Sequence, residues 1–489
     1  MNLLIEDLLG AHKKLIMDPV HGGIPLLSHE VAMVDHPLFQ RLRFICQNDI
    51  LSLVFPGATH SRFLHSVGVM HVGGRMFRAM IENCLKRCSQ EQRSVVKTDT
   101  LEAISYFHRL VRCACLLHDV GHSSFSHQFN RTPSIKSLLA QGGRFEHLWA
   151  GIDTSAIYKD PPTILEHEHF SVRAAWQILQ DIDNKAPSLE PLDILSLMET
   201  TSISPSDLFN RHAHALWPLI APSDLANNPD SLPDEFASKL QHVLSSLVSG
   251  ELDADRADYM LRDGFHSSVT IGGFNLDHLL SNIHFGWCPQ TNWFGLAIAE
   301  KGLSSLEDFV YSRHQMYRQV YAHKTAQGFD WLLRAAIDEV MQNPEVSSFV
   351  NASLDNIDSF KYLTDSYFWE AFRKHASVKK NSYSSCILDR HKMRYLATRD
   401  NLSKEEELHY LNFLSKEFGH PEQQLVSSSI TARFTKIKDG FEDIKVLVSD
   451  HQRQAPTLKL ISDTSRFFDK FTDERITHFY LNPVDKETY

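Results

Sequence analysis

Two stretches limit most strongly what this chain can fold into. SRFLHSVGVMHVGGRMFRAMIENCL, from Ser61 to Leu85, reads as one long helix, and SYFHRLVRCACLLHDV reads as another that stops near Gly121. Each sets histidines inside a mainly apolar run, so the helices that build a core also carry polar groups into it. Packed side by side in one bundle, such helices can bring together residues far apart in the chain.

The remaining punctuation fits a mainly α architecture. KLIMDPVHGGI, from Lys14 to Ile24, predicts a short strand broken by Pro19 and the Gly22-Gly23 pair. Asp35 before HPLFQRLRFI has the position of a helix cap. Residues 131–165 read as a loop-rich insertion, a helix follows from about Glu166 to Leu179, and most of 201–235 reads as a polar, Pro-containing connection. ADRADYMLRD and DFVYSRHQMYRQVYAHKTAQGFDWLLRAAIDEVM are helical patterns, and so is HKMRYLATRDNLSKEEELHYLNFLSKEF, whereas TLKLISD and THFYLNP have strand character. The expected organisation is a helical catalytic domain over 1–340 and a smaller mixed α/β lobe over 341–489 that serves packing and oligomerisation.

Composition narrows the function. A chain of 489 residues suggests about three domain-sized units, although one large helical enzyme can absorb that length. With 43% apolar and 22% charged residues it is an ordinary globular chain, not a disordered one. A net charge of −11 argues against a protein that coats nucleic acid, while a few local arginines can still serve a small anionic substrate. No stretch approaches 18 apolar residues, and Met1 to Lys14 has acids but no uninterrupted apolar core of a signal peptide. The seven scattered cysteines then read as reduced thiols, and the expected location is cytoplasmic.

Histidine is the anomaly, with 28 residues, many beside Asp or Glu. His65 in SRFLHS, His118-Asp119 in LLHDVGH, His167 in LEHEHFSV and Asp255 in ELDADRADY share a composition that suits a divalent cation with an open position for water. His122 falls on the His118 face if the helical turn continues, and His127 and His167 add imidazoles for proton transfer. A G-x-S-x-G elbow, a Walker A loop, HExxH and a dinucleotide glycine fingerprint are all missing. Metal-assisted hydrolysis uses what is present.

The order His65, His118-Asp119, Asp255 resembles the HD-domain metal phosphohydrolases. DPVHGGI, DHPLFQRLRFICQ, VFPGATHSRFLHSVGV, LLHDVGHSSFSHQF, HEHFSV, LDADRADYMLRD and SRHQMYRQVYAHK resemble, in order, the deoxynucleoside-triphosphate triphosphohydrolase branch over about residues 12–330. The resemblance implies an HD-type helical bundle and one divalent metal per subunit, Mn²⁺, Mg²⁺ or Fe²⁺, with Zn²⁺ and a second metal left open. His65, His118, Asp119 and Asp255 would hold the metal. His122 and His167 would sit beside the attacked α-phosphorus, and His127 would protonate the departing 5′ oxygen. Arg62, Arg256, Arg313 and Lys324 would bind phosphates; Gln47, Tyr259 and Asp263 would contact the sugar, and Tyr321 the base. Lys14, Asp35, Gln40 and Arg43 match positions that bind an activating nucleotide between subunits, so a homo-oligomer, dimer or tetramer, is implied. Plainer readings stand beside these: Arg256 and Arg262 as i,i+4-type surface pairs, Tyr321 as core. Asn130 and Asn48 depart from the human member of the branch, which has Asp and Leu there. The alternatives are a phosphatase or phosphodiesterase on another nucleotide, and a nucleotide-sensing or nucleic-acid-binding protein of the same fold.

Overall fold

The first described residues form a β-hairpin in place of the single broken strand. In the computed structural model, which describes residues 12–87, 98–158, 160–182, 189–199, 203–221, 235–432, 444–448, 457–469 and 472–484, β1 (Lys14–Asp18) pairs antiparallel with β2 (Gly22–Leu26). Asp18 Oδ1 accepts from the N–H groups of Val20 and His21 at 2.9 and 2.8 Å, which closes the turn. Helix α1 (Ser28–Asp35) follows. Asp35 therefore ends a helix and does not cap one. The next residue, His36, precedes Pro37, which pushes it into extended backbone, and its Nδ1 accepts from the Leu38 N–H at 3.2 Å. The helix it caps is one turn long, Pro37–Gln40.

The two helices read from the apolar runs are α2 (Arg62–Arg87) and α3 (Thr98–Leu117), packed against each other. Short helix α4 (Ser126–Arg131) leads into the expected loop-rich insertion, and two further short helices, Pro133–Leu139 and Arg144–Leu148, occupy part of it. Helix α5 (His167–Asp181) stands where the sequence placed it. Helix α6 (Asp207–Ile220) occupies part of the span read as a connection. Its start is fixed by Ser206, whose hydroxyl accepts from Leu208 and Phe209 N–H, and its buried Phe209, Ala213, Leu216 and Trp217 supply a core face that Pro218 had obscured. Residues 222–234 of that span lie outside the described residues.

Helix α7 (Ala254–Ser267) is capped by Asp253, whose Oδ1 accepts from Arg256 N–H at 2.6 Å, and it packs on α2. Gly68 permits that approach, because a Cβ there would collide with the Asp258 carboxyl of α7. The long helical pattern after residue 300 is two helices. Helix α8 (Leu303–Met316) runs into a π-helical turn over Tyr317–Tyr321, and α9 (Lys324–Val340) starts afresh with His323 Nδ1 accepting from Thr325 N–H. Helical structure continues to Leu388 and includes α10 (Asp365–Val378).

The mixed elements come next. Arg394–Asp400 is a strand, not helix; the helix of that segment, α11 (Lys404–Phe418), waits for the Ser403 capping box. One four-stranded sheet joins β3 (Ile283–Cys288) and β4 (Trp293–Ala299) to β7 (Ile444–Val448) and β8 (Thr457–Leu460), with β4 and β7 parallel. A three-stranded sheet sets β9 (Glu474–Leu481) between β5 (Arg394–Asp400) and β6 (Leu425–Ala432). Ile444, Val446 and Tyr480 join the same buried cluster as the helices, so the strands share the helical core. Among the described residues no helix is long and apolar enough to cross a membrane.

Candidate active site

The four expected metal ligands meet where α2, the end of α3 and the start of α7 converge. His65 lies in the second turn of α2, fully buried, with Nε2 2.9 Å from Asp255 Oδ1 and 3.8 Å from Asp119 Oδ2. His118 Nε2 lies 3.5 Å from Asp119 Oδ1 and 3.7 Å from Asp255 Oδ1. The other ring nitrogens are already spoken for. His65 Nδ1 is 2.8 Å from Asp258 Oδ2, and His118 Nδ1 is 2.8 Å from the Cys115 carbonyl oxygen. Each Nδ1–H then donates outward and leaves an Nε2 lone pair aimed at carboxylate oxygens. Neither Nε2 has a hydrogen-bond partner. Two lone pairs facing two carboxylates repel unless a proton or a cation lies between them, and this donor set fits a divalent ion.

The electrostatics agree. Burial opposes charge on His65, but Asp255 and Asp258 outweigh it and push the ring up to about 10. His118 is raised in the same way, by Asp119 and Asp255. Asp258 is itself fixed by Arg262, at 2.8 and 2.9 Å, and by His21 at 2.7 Å. Arg262 does pair at i,i+4, yet it is wholly buried and also holds Asp18 at 2.7 Å, so the surface reading fails. The sequence reading passed over Asp258, although an acid one helical turn after Asp255 in DADRADY was a usable signal.

Beside this cluster stands a second one. Imidazole nitrogens of His122, His127 and His167 lie within 4.8 Å of one another. Helix α3 does not continue to carry His122: it ends at Leu117, and the chain turns at Gly121, where a Cβ would strike the Ser171 backbone of α5. His122 Nε2 comes to 3.2 Å from Asp119 Oδ1. Here burial and Arg62 dominate. They hold His127 down to about 3 and, against Asp119, His167 down to about 4 and His122 well below its ordinary value.

Two buried groups that the sequence did not reveal shape this loop. Arg41 donates to the carbonyls of Val120 and His122. Asp365, at the start of α10, accepts from Phe125 N–H at 2.7 Å and from Cys46 N–H at 2.8 Å. Phe125 and Ser126 both have positive φ, 49° and 46°, a conformation costly for residues other than glycine. The Phe125 ring stacks on Phe372 of α10, so the helix that supplies Asp365 also packs the strained turn. Asp365 is 319 residues from Cys46, and no local pattern marks it.

Arg62 ties both clusters to a cavity of about 190 Å³ lined by Gln47, Tyr259, Asp263, Tyr321, His127 and Arg62 itself. Arg62 pairs with Asp119 and donates through Nε to Ser126 Oγ at 2.7 Å. Asp263 accepts from Tyr321 OH and lies 2.8 Å from His60 Nε2. Tyr321 is thus a half-buried wall residue of the cavity. Asn48 also lines it, whereas Asn130 does not.

Three expected phosphate ligands stand elsewhere. Arg256 and Arg313 both turn to Glu251, at 3.2 and 3.9 Å, and neither lines the cavity. Lys324 is exposed, with Nζ 4.7 Å from the Tyr395 ring centroid, because α9 begins at it and points its side chain toward β5. The four residues expected at a nucleotide site form two pairs. Lys14 Nζ lies 3.2 Å from exposed Asp35, and Arg43 Nε donates to Gln40 Oε1 at 2.8 Å while its guanidinium covers the Phe63 ring.

No family model matches the chain. It is 27% identical over 371 residues to the deoxynucleoside triphosphate triphosphohydrolase SAMHD1 of Bos taurus, covering 73% of this chain and 54% of that protein. It is 27% identical over 364 residues to the protein of the same name from Homo sapiens, covering 73% and 50%. The chain spans about half the length of the curated relatives it matches. Its structure is similar to that of a hypothetical protein from Aquifex aeolicus, with a TM-score of 0.64, 21% identity and 96% of each chain covered. It is similar also to a phosphohydrolase from Bacteroides thetaiotaomicron, with a TM-score of 0.62, 21% identity and 96% and 99% of the chains covered. At that identity the likeness is one of fold. The resemblance read from the motifs is therefore shared with homologues over about 73% of the chain.

Proposed function

We propose that the chain is a metal-dependent HD-type phosphohydrolase that converts deoxynucleoside triphosphates to deoxynucleoside and tripolyphosphate by attack of water at the α-phosphorus. One observation carries this reading: Arg62 touches Asp119 of the mixed cluster, Ser126 of the histidine loop and the cavity at once. A phosphate placed against it reaches both clusters. His65, His118, Asp119 and Asp255 would hold a divalent cation, which would supply Lewis-acid polarisation of phosphoryl oxygens and lower the pKa of water.

The chain's own residues do the rest. Arg62 offers a guanidinium to phosphate oxygens, the pairing to which its planar donors are suited. Neutral His122 and His167 accept hydrogen bonds from water beside the phosphorus. His127 delivers a proton to the 5′ oxygen. In the free protein His127 is held neutral by burial and Arg62, so it gains that proton only when substrate phosphates offset Arg62. Gln47, Tyr259 and Asp263 hold the sugar and Tyr321 bounds the base. Arg256 and Arg313 act on phosphates only after leaving Glu251. In this reading the enzyme is a cytoplasmic homo-oligomer, with Lys14, Asp35, Gln40 and Arg43 as an activating-nucleotide site.

The second histidine cluster favours one other reading. Three imidazoles within 4.8 Å suit a second metal ion, as a phosphatase or phosphodiesterase on another nucleotide would use. Incubation with each dNTP and Mn²⁺ or Mg²⁺, followed by product identification and metal counting, separates the two. Tripolyphosphate and one ion per chain are expected; orthophosphate or pyrophosphate, or two ions, favours the rival.

A further inference from the structure

The cavity that His127 and Arg62 line also has Gln47, Asn48 and Asp49 in succession on its wall. Gln47 Oε1, Asn48 Nδ2 and Asp49 Oδ1 are each shut off from solvent and bond to nothing in the protein. Buried polar atoms are normally paired, and leaving one unpaired is costly. Three in succession on the wall of one cavity point to a ligand that supplies the partners.

Asp49 adds a second cost. Its φ is 53°, left-handed backbone that Asp tolerates better than most residues but glycine adopts freely. Its carboxyl is held well above its ordinary range by burial and by Asp330, which lines the same cavity and is itself pushed up by burial to about 6. Asp330 Oδ2 accepts from Gln327 Nε2 at 3.1 Å, whereas Asp49 Oδ1 has no such support. A strained residue with an unsatisfied buried carboxyl contributes nothing evident to folding.

We infer that Gln47, Asn48 and Asp49 bind the vicinal hydroxyls of a ribose, so that ribonucleoside triphosphates are substrates of this site alongside their deoxy counterparts. The wall offers an acceptor, a donor and a carboxyl that can do either, and each sugar hydroxyl both donates and accepts. An acid on a ribose hydroxyl is a general mode of nucleotide recognition. Arg62 on the same cavity fixes the anionic end of the ligand. Selectivity follows from the chemistry. A pocket that merely crowds the 2′ hydroxyl favours the deoxy form by roughly 10–200-fold, and a wall that bonds it removes that bias.

The inference rests on the nucleotide reading above, and its test is kept separate from product identity. Affinities of ATP, dATP, GTP and dGTP are measured by titration calorimetry on the His127→Ala protein, then with Asp49→Gly or Asn48→Leu added. The ribonucleotides are expected to bind at least as tightly as the deoxy forms. Each added substitution should move the ratio toward the deoxy form by about tenfold or more. Asp49→Gly should also raise the melting temperature, because it relieves the backbone and removes the unpaired carboxyl. Deoxy forms preferred by His127→Ala itself, a ratio moved by neither substitution, or a melting temperature lowered by Asp49→Gly overturns the inference. Absence of tripolyphosphate from all four nucleotides would sink the triphosphohydrolase reading instead and leave the affinity ratios standing.

Discussion

His65 and His118 stand beside His122, His127 and His167, yet the two groups respond to burial in opposite ways. The first pair faces Asp119, Asp255 and Asp258, which overcome desolvation and favour a positive charge. In the trio burial and Arg62 outweigh the nearby acids, chiefly Asp119, so its rings stay neutral. The same side chain at similar depth is a cation seeker in one place and a proton acceptor in the other. The acids decide, and the single arginine between the groups sharpens the split.

The most damaging change to this contrast is His118→Ala with Asp119→Ala. It should abolish metal binding and hydrolysis while the far-ultraviolet spectrum stays helical, and full activity in that protein would refute the metal site. His127→Ala should keep the metal and still lose on the order of 10²–10⁴ in rate; equal loss of metal would merge the clusters into one. Asp365→Ala leaves two buried N–H groups unpaired, at about 1–3 kcal/mol each. Its melting temperature should fall and kcat should drop more than KM rises, as the Phe125-Ser126 turn relaxes; a lower melting temperature with normal kcat would limit Asp365 to stability.

A subtler test uses protons. His65, held up to about 10, is protonated at pH 7 and must lose that proton to become a ligand. Calorimetry of Mn²⁺ binding in two buffers of different ionisation heat should show about one proton released, and none released would contradict the raised ring. The smallest effect lies away from both clusters. His108 is lowered by burial to about 3 and His284 to about 4, from 6.5. The unfolded chain takes up these protons first, so stability is whole above about pH 6.5 and declines toward pH 4, by up to about 1.4 kcal/mol per pH unit and ring. Denaturation midpoints equal at pH 7.5 and 5 would exclude this.

The cluster of His65, His118, Asp119 and Asp255 was legible because each member sits in a short string whose neighbours repeat its chemistry: SRFLHS, LLHDVGH, LDADRADY. The cavity residues Gln47, Arg62, Tyr259, Asp263 and Tyr321 lay in the longer strings that carried the resemblance, DHPLFQRLRFICQ, VFPGATHSRFLHSVGV, LDADRADYMLRD and SRHQMYRQVYAHK. Lys324 was misread because its string runs through a π-helical turn and a fresh helix start, which redirect the side chain. Asp35 was misread because one proline moved the cap to His36. Arg41 and Asp365 were invisible, since what they do depends on backbone groups 79 to 319 residues away. Helix α6 was hidden by polar composition around a buried face, a pattern that single-sequence periodicity reads poorly when a proline interrupts it.

The parallel pairing of β4 with β7, and the place of Ile430 on the cavity wall, bear on the order in which a ribosome delivers this molecule. Every group of the mixed cluster has been synthesised once Asp255 and Asp258 emerge. Asp365 and Ile430 follow much later, an interval on the order of tens of seconds at ~5–20 residues per second. On the proposed function, a nascent chain captures its ion while the nucleotide cavity still lacks a wall. Loading during translation and competence for nucleotide afterwards become separate events, with a window between them in which a chelator meets an exposed site.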